Sequence, residues 1–125
     1  PIETLLRESD VVTLHLRLSE RTTRYIDRAR LALMKPTAFL VNTARAGLVD
    51  RDALIEALRG SRIAGAALDV FHEEPIPAGD ELPALPNVVM TPHDAGTTPE
   101  VMERGLRRAV QNVEAFLAAE GRRGR

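Results

Sequence analysis

The sequence predicts an α/β protein built on a parallel sheet, and three observations carry this. Apolar, β-branched runs recur at residues 11–16, 38–42, 63–70 and 88–90. Segments with helical spacing or helix-capping residues lie between them. The runs are continuous rather than alternating, which suits parallel strands covered on both faces. Strands alternating with helices favour a parallel sheet with right-handed crossovers.

Residues 2–8 place Ile2, Leu5 and Leu6 on a short helical face, broken by Ser9-Asp10. The strand 11–16 follows, and then a polar stretch, 19–24, that reads as a loop or one helical turn. Asp27 is an N-cap for a helix over 28–34, which Lys35-Pro36 stops. After the second strand, Asp50 is an N-cap for 51–59, with Leu54, Ile55 and Leu58 on one face. Gly60 is the expected left-handed stop. The third strand contains Ala64-Gly65-Ala66-Ala67, small enough for a helix to pack close. Residues 75–86 carry four prolines and are expected to form an irregular loop. A short strand, 88–90, follows. Thr98 then caps a last helix with Pro99 in its first position and Glu100 and Glu103 facing the positive end of its dipole. Val101, Met102, Leu106, Ala109, Val110, Val113, Phe116 and Leu117 recur at helical spacing to about residue 119, and 121–125 form a basic tail.

The totals narrow the class. One domain is expected from 125 residues, and 44% hydrophobic residues exclude a disordered chain. Basic and acidic residues number 17 and 18, so the net basic field of a nucleic-acid or membrane-surface protein is missing. No cysteine is present, hence no disulfide or thiolate, and a reducing cytoplasm is the expected setting. No apolar run approaches the roughly 18 residues of a spanning helix. The chain opens on Pro1-Ile2, so Met removal and excision from something longer both stand open.

The chemistry collects at strand ends. Arg45 follows the second strand in Val41-Asn42-Thr43-Ala44-Arg45-Ala46-Gly47-Leu48-Val49-Asp50, Asp69 and Glu73-Glu74-Pro75 follow the third, and Thr91-Pro92-His93 follows the fourth. In open α/β sheets that edge is where ligands bind. If the three strands are parallel neighbours, Arg45, Glu74 and His93 meet there. Histidine passes protons near neutral pH, and Glu73 or Glu74 beside it would favour the imidazolium and fix its tautomer. A guanidinium among small residues suits bidentate capture of a carboxylate. Asp69, ending an apolar strand, needs a donor such as a ligand amide or a backbone N–H. Each has a plainer reading: His93 as a structural or surface group, Arg45 as an exposed loop charge, Glu73-Glu74 as a solvated turn. His15 faces the same edge, and His72 reads as a loop residue. The histidines are too far apart in sequence for a metal motif, so no metal is expected.

Several stretches together resemble the D-isomer-specific 2-hydroxyacid dehydrogenases, the family of phosphoglycerate dehydrogenase and glyoxylate/hydroxypyruvate reductase. They are Asp10-Val11-Val12-Thr13-Leu14-His15-Leu16, Met34-Lys35-Pro36, the 42–50 stretch, Ala66-Ala67-Leu68-Asp69-Val70-Phe71 with Glu74-Pro75, and Asn87-Val88 with Thr91-Pro92-His93. The resemblance covers nearly the whole chain. It implies the second half of a Rossmann-like, doubly wound parallel sheet plus a long C-terminal helix. Residues 1–97 would be the C-terminal half of an NAD(P)-binding domain, and 98–125 a helix returning to a substrate domain. The implied activity is hydride transfer between NAD or NADP and a small 2-oxo or 2-hydroxy acid of D configuration.

The resemblance also implies roles. Arg45 would hold the substrate's carboxylate and oxo group, His93 would be the general acid or base, and Glu74 would pair with His93 and keep it cationic. Asp69 would bind the nicotinamide amide. Thr43, Ala44, Arg45, His93, Ala95 and Gly96 would line the nicotinamide, and His15 and Leu16 the adenosine side. Three residues depart from the family's pattern: Arg17 replaces a usual proline, Ala46 a common glycine, and Asp94 a usual apolar residue. The sequence contains no Gly-x-Gly-x-x-Gly phosphate loop. An unpaired sheet edge is therefore expected, inviting association, as is a homodimer by resemblance. The other reading is a non-catalytic fragment or NAD-sensing binding module of the same fold.

Overall fold

The computed structural model describes residues 1–123, with side-chain environments through residue 119. Four strands, β1 (Val11–Leu14), β2 (Phe39–Asn42), β3 (Gly65–Leu68) and β4 (Val88–Met90), form one parallel sheet in the order β1-β2-β3-β4. Leu14, Asn42, Leu68 and Met90 stand in one row across it. The carboxyl ends are thus level, and the four following loops leave from one edge.

Helices α1 (Ile2–Glu8), α2 (Arg28–Leu31) and α3 (Arg51–Arg59) accompany the strands. Asp27 and Asp50 accept the backbone N–H groups of Arg30 and Ala53, as expected of N-caps. Five of the nine residues of α3 are buried, Ala53, Leu54, Ile55, Ala57 and Leu58. They join Leu6, Leu31, Val12, Leu14, Leu40, Ala66 and Leu68 in one core. At about 25 cal/mol per Å² of apolar surface removed from water, this burial is the main favourable term in folding.

Strand alternation explains which sheet face this core occupies. Val12, Leu14, Leu40, Asn42, Ala66 and Leu68 point one way and are buried, whereas Val11, Phe39 and Val89 point the other way and are exposed. The continuous apolar runs suggest cover on both faces; within the Pro1–His93 unit the core covers one face. The runs are apolar on both sides, so composition alone does not reveal which side the chain itself can cover.

Other differences are local. Leu5 is exposed, and Leu6 alone anchors α1 fully. The helix expected over 28–34 stops at Leu31, because Leu33 and Met34 bond to carbonyls three residues back, tightening the last turn. Gly60 is not left-handed (φ −84°); Ser61 is, at φ 51°. The small residue at 65 serves neighbouring strands, not a helix: a Cβ there would meet the Asn87 carbonyl oxygen at 2.6 Å and the Phe39 ring at 3.2 Å. The proline-rich loop contains one 3-10 turn, Leu82–Ala84, which tolerates Pro83 near its start and buries Leu82 in the core. Asp80 accepts the Leu82 N–H and pairs with Arg51 at 2.8 Å, tying this loop to α3.

The chain divides into two units, Pro1–His93 and Asp94–Arg125. The second is dominated by α4 (Pro99–Arg123), where the Thr98 hydroxyl accepts the Val101 N–H. Met102, Leu106, Val110, Val113, Phe116 and Leu117 are exposed along it. The helix passes the expected end near 119, and of the basic tail Gly124-Arg125 lie outside the described residues. Among the described residues no helix is long and apolar enough to cross a membrane.

Candidate functional site

The site starts from the level carboxyl edge. β3 and β4 deliver the loops that carry Glu74 and His93, and the two side chains meet there. Glu74 Oε2 lies 2.8 Å from His93 Nδ1, and Glu74 Oε1 accepts the Phe71 N–H at 2.8 Å. The carboxylate is therefore aimed by its own loop. With Nδ1 engaged, Nε2 is the ring nitrogen turned away from Glu74. The imidazole contact, followed by the Phe71 amide, holds the Glu74 carboxyl below its usual range. His93 has φ 57°, a left-handed backbone that histidine adopts more readily than most side chains. Both side chains remain partly exposed, at 44% for His93 and 38% for Glu74. They border a cleft of about 440 Å³ whose walls include Phe71, Pro75, Ile76, Met90 and Pro92. Of the two candidate carboxylates, Glu74 is the one on the imidazole.

Two buried polar side chains shape the same edge. Asp69, at the end of β3, is 2% exposed and accepts the Thr91 hydroxyl. Its backbone N–H bonds to the Asn42 carbonyl. Asn42, 1% exposed, donates from Nδ2 to the Arg45 carbonyl at 3.0 Å and accepts the Ala44 N–H on Oδ1 at 3.1 Å. It thereby folds the 43–45 turn that presents Arg45. Sequence reasoning gives Asn42 and Thr91 no role of their own. An amide ending an apolar strand is the available signal, because a buried amide requires partners.

Arg45 shares the edge with Glu74 and His93 but does not touch them through a hydrogen bond or ion pair. Its guanidinium donates to the Ala44 carbonyl at 2.6 Å. It lines a separate cavity of about 540 Å³ with His15, Leu16, Arg17, Leu18 and Ala44. His15 Nε2 is 3.0 Å from the Thr13 hydroxyl. Thr43 is exposed beside Ala44. Ala95 and Gly96 lie in the second unit, in the loop before α4. His72 lies in the loop between Asp69 and Glu74; partial burial, then Arg51 and Arg24, push its imidazole below its usual range. Among the described residues no group of three or more His, Cys, Asp or Glu could hold a metal ion.

The arrangement can bind an anion at Arg45, pass a proton at His93 and offer a buried carboxylate to an amide at Asp69. Residues 1–95 match the family described as D-isomer specific 2-hydroxyacid dehydrogenase, NAD binding domain. The chain is 49% identical over 115 residues to the glyoxylate reductase of Aeropyrum pernix, covering 92% of this chain and 34% of that protein. Among solved structures it is similar to the TT0316 protein of Thermus thermophilus (49% identity, TM-score 0.86, 94% of this chain and 38% of that one). It is also similar to an acyclic imino acid reductase solved with NADPH and D-Arg (34% identity, TM-score 0.88, 95% and 38%). The chain spans about a third of the length of the curated relatives it matches.

Proposed function

This chain belongs to the D-isomer specific 2-hydroxyacid dehydrogenases through their NAD binding domain, and from that premise we propose that it carries the proton-transfer and substrate-anchoring residues of an NAD(P)-dependent reduction of small 2-oxo acids. The observation that carries the reading is the Glu74–His93 pair at the carboxyl edge of a parallel sheet. In this reading residues 1–97 are the second half of the cofactor domain and 98–125 the helix that returns to a substrate domain.

The residues present fit the nicotinamide half of the cofactor. Asp69 is a buried carboxylate at a strand end, suited to a carboxamide, and Thr43 and Ala44 are small enough for close approach. The bound cofactor supplies the hydride. The chain's own residues do the rest. Arg45 leaves the Ala44 carbonyl and clamps the substrate carboxylate bidentately. His93 gives a proton from Nε2 to the carbonyl oxygen during reduction and takes it back during oxidation. Glu74, held by the Phe71 amide, fixes the ring orientation and decides which nitrogen shuttles the proton. His15 and Leu16 face the adenosine side.

The test is turnover of glyoxylate and hydroxypyruvate by the full-length protein, followed by the absorbance of reduced nicotinamide. His93→Ala should lower kcat by about 10²–10⁴-fold, the usual contribution of a general acid. An unchanged rate would remove His93 from the chemistry.

One observation favours a second reading. Among the described residues the outer edge of β1 is unpaired beside an exposed apolar face. A module that associates through that edge, as a homodimer or with another chain, and senses the cofactor without turnover would fit it. NADH binding without oxo-acid reduction, together with a dimer in sedimentation, would select it.

A further inference from the structure

The cavity at the ends of β1 and β2 holds more positive charge than a single substrate carboxylate requires. Arg17 and Arg45 both line it, with His15 at the same rim, and no carboxylate is among its lining residues. Arg17 takes part in none of the ion pairs among the described residues. Arg45 is engaged with a main-chain carbonyl alone.

We propose that Arg17 and Arg45 form a two-point anion site, and that the ligand it takes carries a phosphate or carboxylate beyond the one carboxylate held by Arg45. The inference rests on the dehydrogenase reading for the part played by Arg45, and it assigns Arg17 as a specificity-determining residue.

The backbone around Arg17 is fixed. The Thr22 hydroxyl donates to the Arg17 carbonyl at 2.7 Å and accepts the Ser19 N–H at 2.8 Å, and the Thr23 hydroxyl donates to the Ser19 carbonyl at 2.8 Å. Leu18 lies down over Gly47, where a Cβ would meet its methyl carbons at 3.1 and 3.2 Å. The chain therefore presents Arg17 from a held turn rather than from a loose loop. Leu16 and Leu18 on either side remain 42% and 38% exposed. An apolar wall beside two cations suits a ligand with an apolar body and an anionic end. Guanidinium is the side chain best shaped for such an end, because it offers paired donors to phosphate and carboxylate alike.

The anion has two possible sources, a ribose phosphate on the cofactor or a second acid group on the substrate. The experiment compares the full-length wild-type protein with Arg17→Gln and Arg17→Lys. One arm measures dissociation constants of NADPH and NADH by calorimetry. The other measures binding and KM for glyoxylate and for 2-oxoglutarate. Losing one charged hydrogen-bonded contact is expected to cost about tenfold in affinity. A loss with Arg17→Gln that is about tenfold greater for NADPH than for NADH supports the site and names the cofactor as its source. A loss that much greater for 2-oxoglutarate than for glyoxylate supports it and names the substrate. Arg17→Lys should retain most of either discrimination. Equal effects on both members of each pair, including no effect, overturn the proposal and leave Arg17 a solvated charge. Failure of the dehydrogenase reading is seen separately, as no turnover of either acid, while the calorimetric comparison still decides whether Arg17 selects the second anionic group.

Discussion

Glu74 grips His93 from one side only. Its Oε2 is 2.8 Å from Nδ1, while its other oxygen is spent on the Phe71 amide. The pair joins the loop after β3 to the end of β4, so its geometry depends on how those strands sit together. A carboxylate oriented at both oxygens cannot rotate without losing one partner.

This gives a pH prediction. The Glu74 carboxyl is held low first by His93 and then by the Phe71 N–H. Its contribution to stability is therefore present above the ordinary glutamate value of about 4.3 and is lost as pH falls through the lower folded value. In an NMR titration Glu74 should titrate below that ordinary value. In His93→Ala it should move up without returning fully, because the amide bond remains. A full return would mean that the Phe71 contact contributes nothing.

Thr91 supports Asp69 from the neighbouring strand. Thr91→Val keeps the shape and deletes one hydrogen bond to a buried carboxylate. The expected cost is about 1–3 kcal/mol, read as a lower urea midpoint at unchanged slope. A midpoint within error of wild type would show that the hydroxyl is dispensable to Asp69.

Asn42→Ala removes both bonds that fold the 43–45 turn. We expect a stability loss of about 1–3 kcal/mol and, in the full-length protein, a higher KM for 2-oxo acids as Arg45 loses its placement. A stability loss with KM unchanged would confine Asn42 to the fold.

Much of this was legible in the sequence, and the reason is locality. Asp27 and Asp50 cap helices through N–H groups three residues away, so residue type and spacing suffice. The parallel sheet followed from alternation of elements. What was not legible depends on turn geometry and side-chain orientation that residue type does not fix. Gly60 signals a left-handed stop, yet Ser61 takes that conformation, because Gly60 N–H still closes onto Glu56 and Arg62 N–H onto Ala57. His93 carries no glycine-like signal for its φ of 57°. Glu73 and Glu74 are equivalent in residue type; the family resemblance points to Glu74, and the 71–74 turn sets it on His93. Arg45 was placed at the right edge, but its bond to Ala44 could not be foreseen from residue type.

Gly65→Ala tests the packing of the sheet. Its Cβ would stand 2.6 Å from the Asn87 oxygen, which also accepts the Ala66 N–H. β3 and β4 must move apart, at an expected cost of about 1–3 kcal/mol as in other overpacked sites. Faster hydrogen exchange at Ala66 and Thr91 should accompany the loss. Protection equal to wild type would show that the strands absorb the methyl group in place.

The level row Leu14, Asn42, Leu68, Met90 makes β3 a spacer of fixed width. Adjacent strands lie about 4.8 Å apart, so β2 and β4 are separated by roughly 10 Å. Arg45, proposed to anchor the substrate, and His93, proposed to carry the proton, spring from opposite sides of that gap. The sheet thus works as a gauge: it sets how far apart the gripped end and the reacting end of a molecule can be. Any change that widens β3 should show itself as an altered preference for molecular length before it shows itself as unfolding.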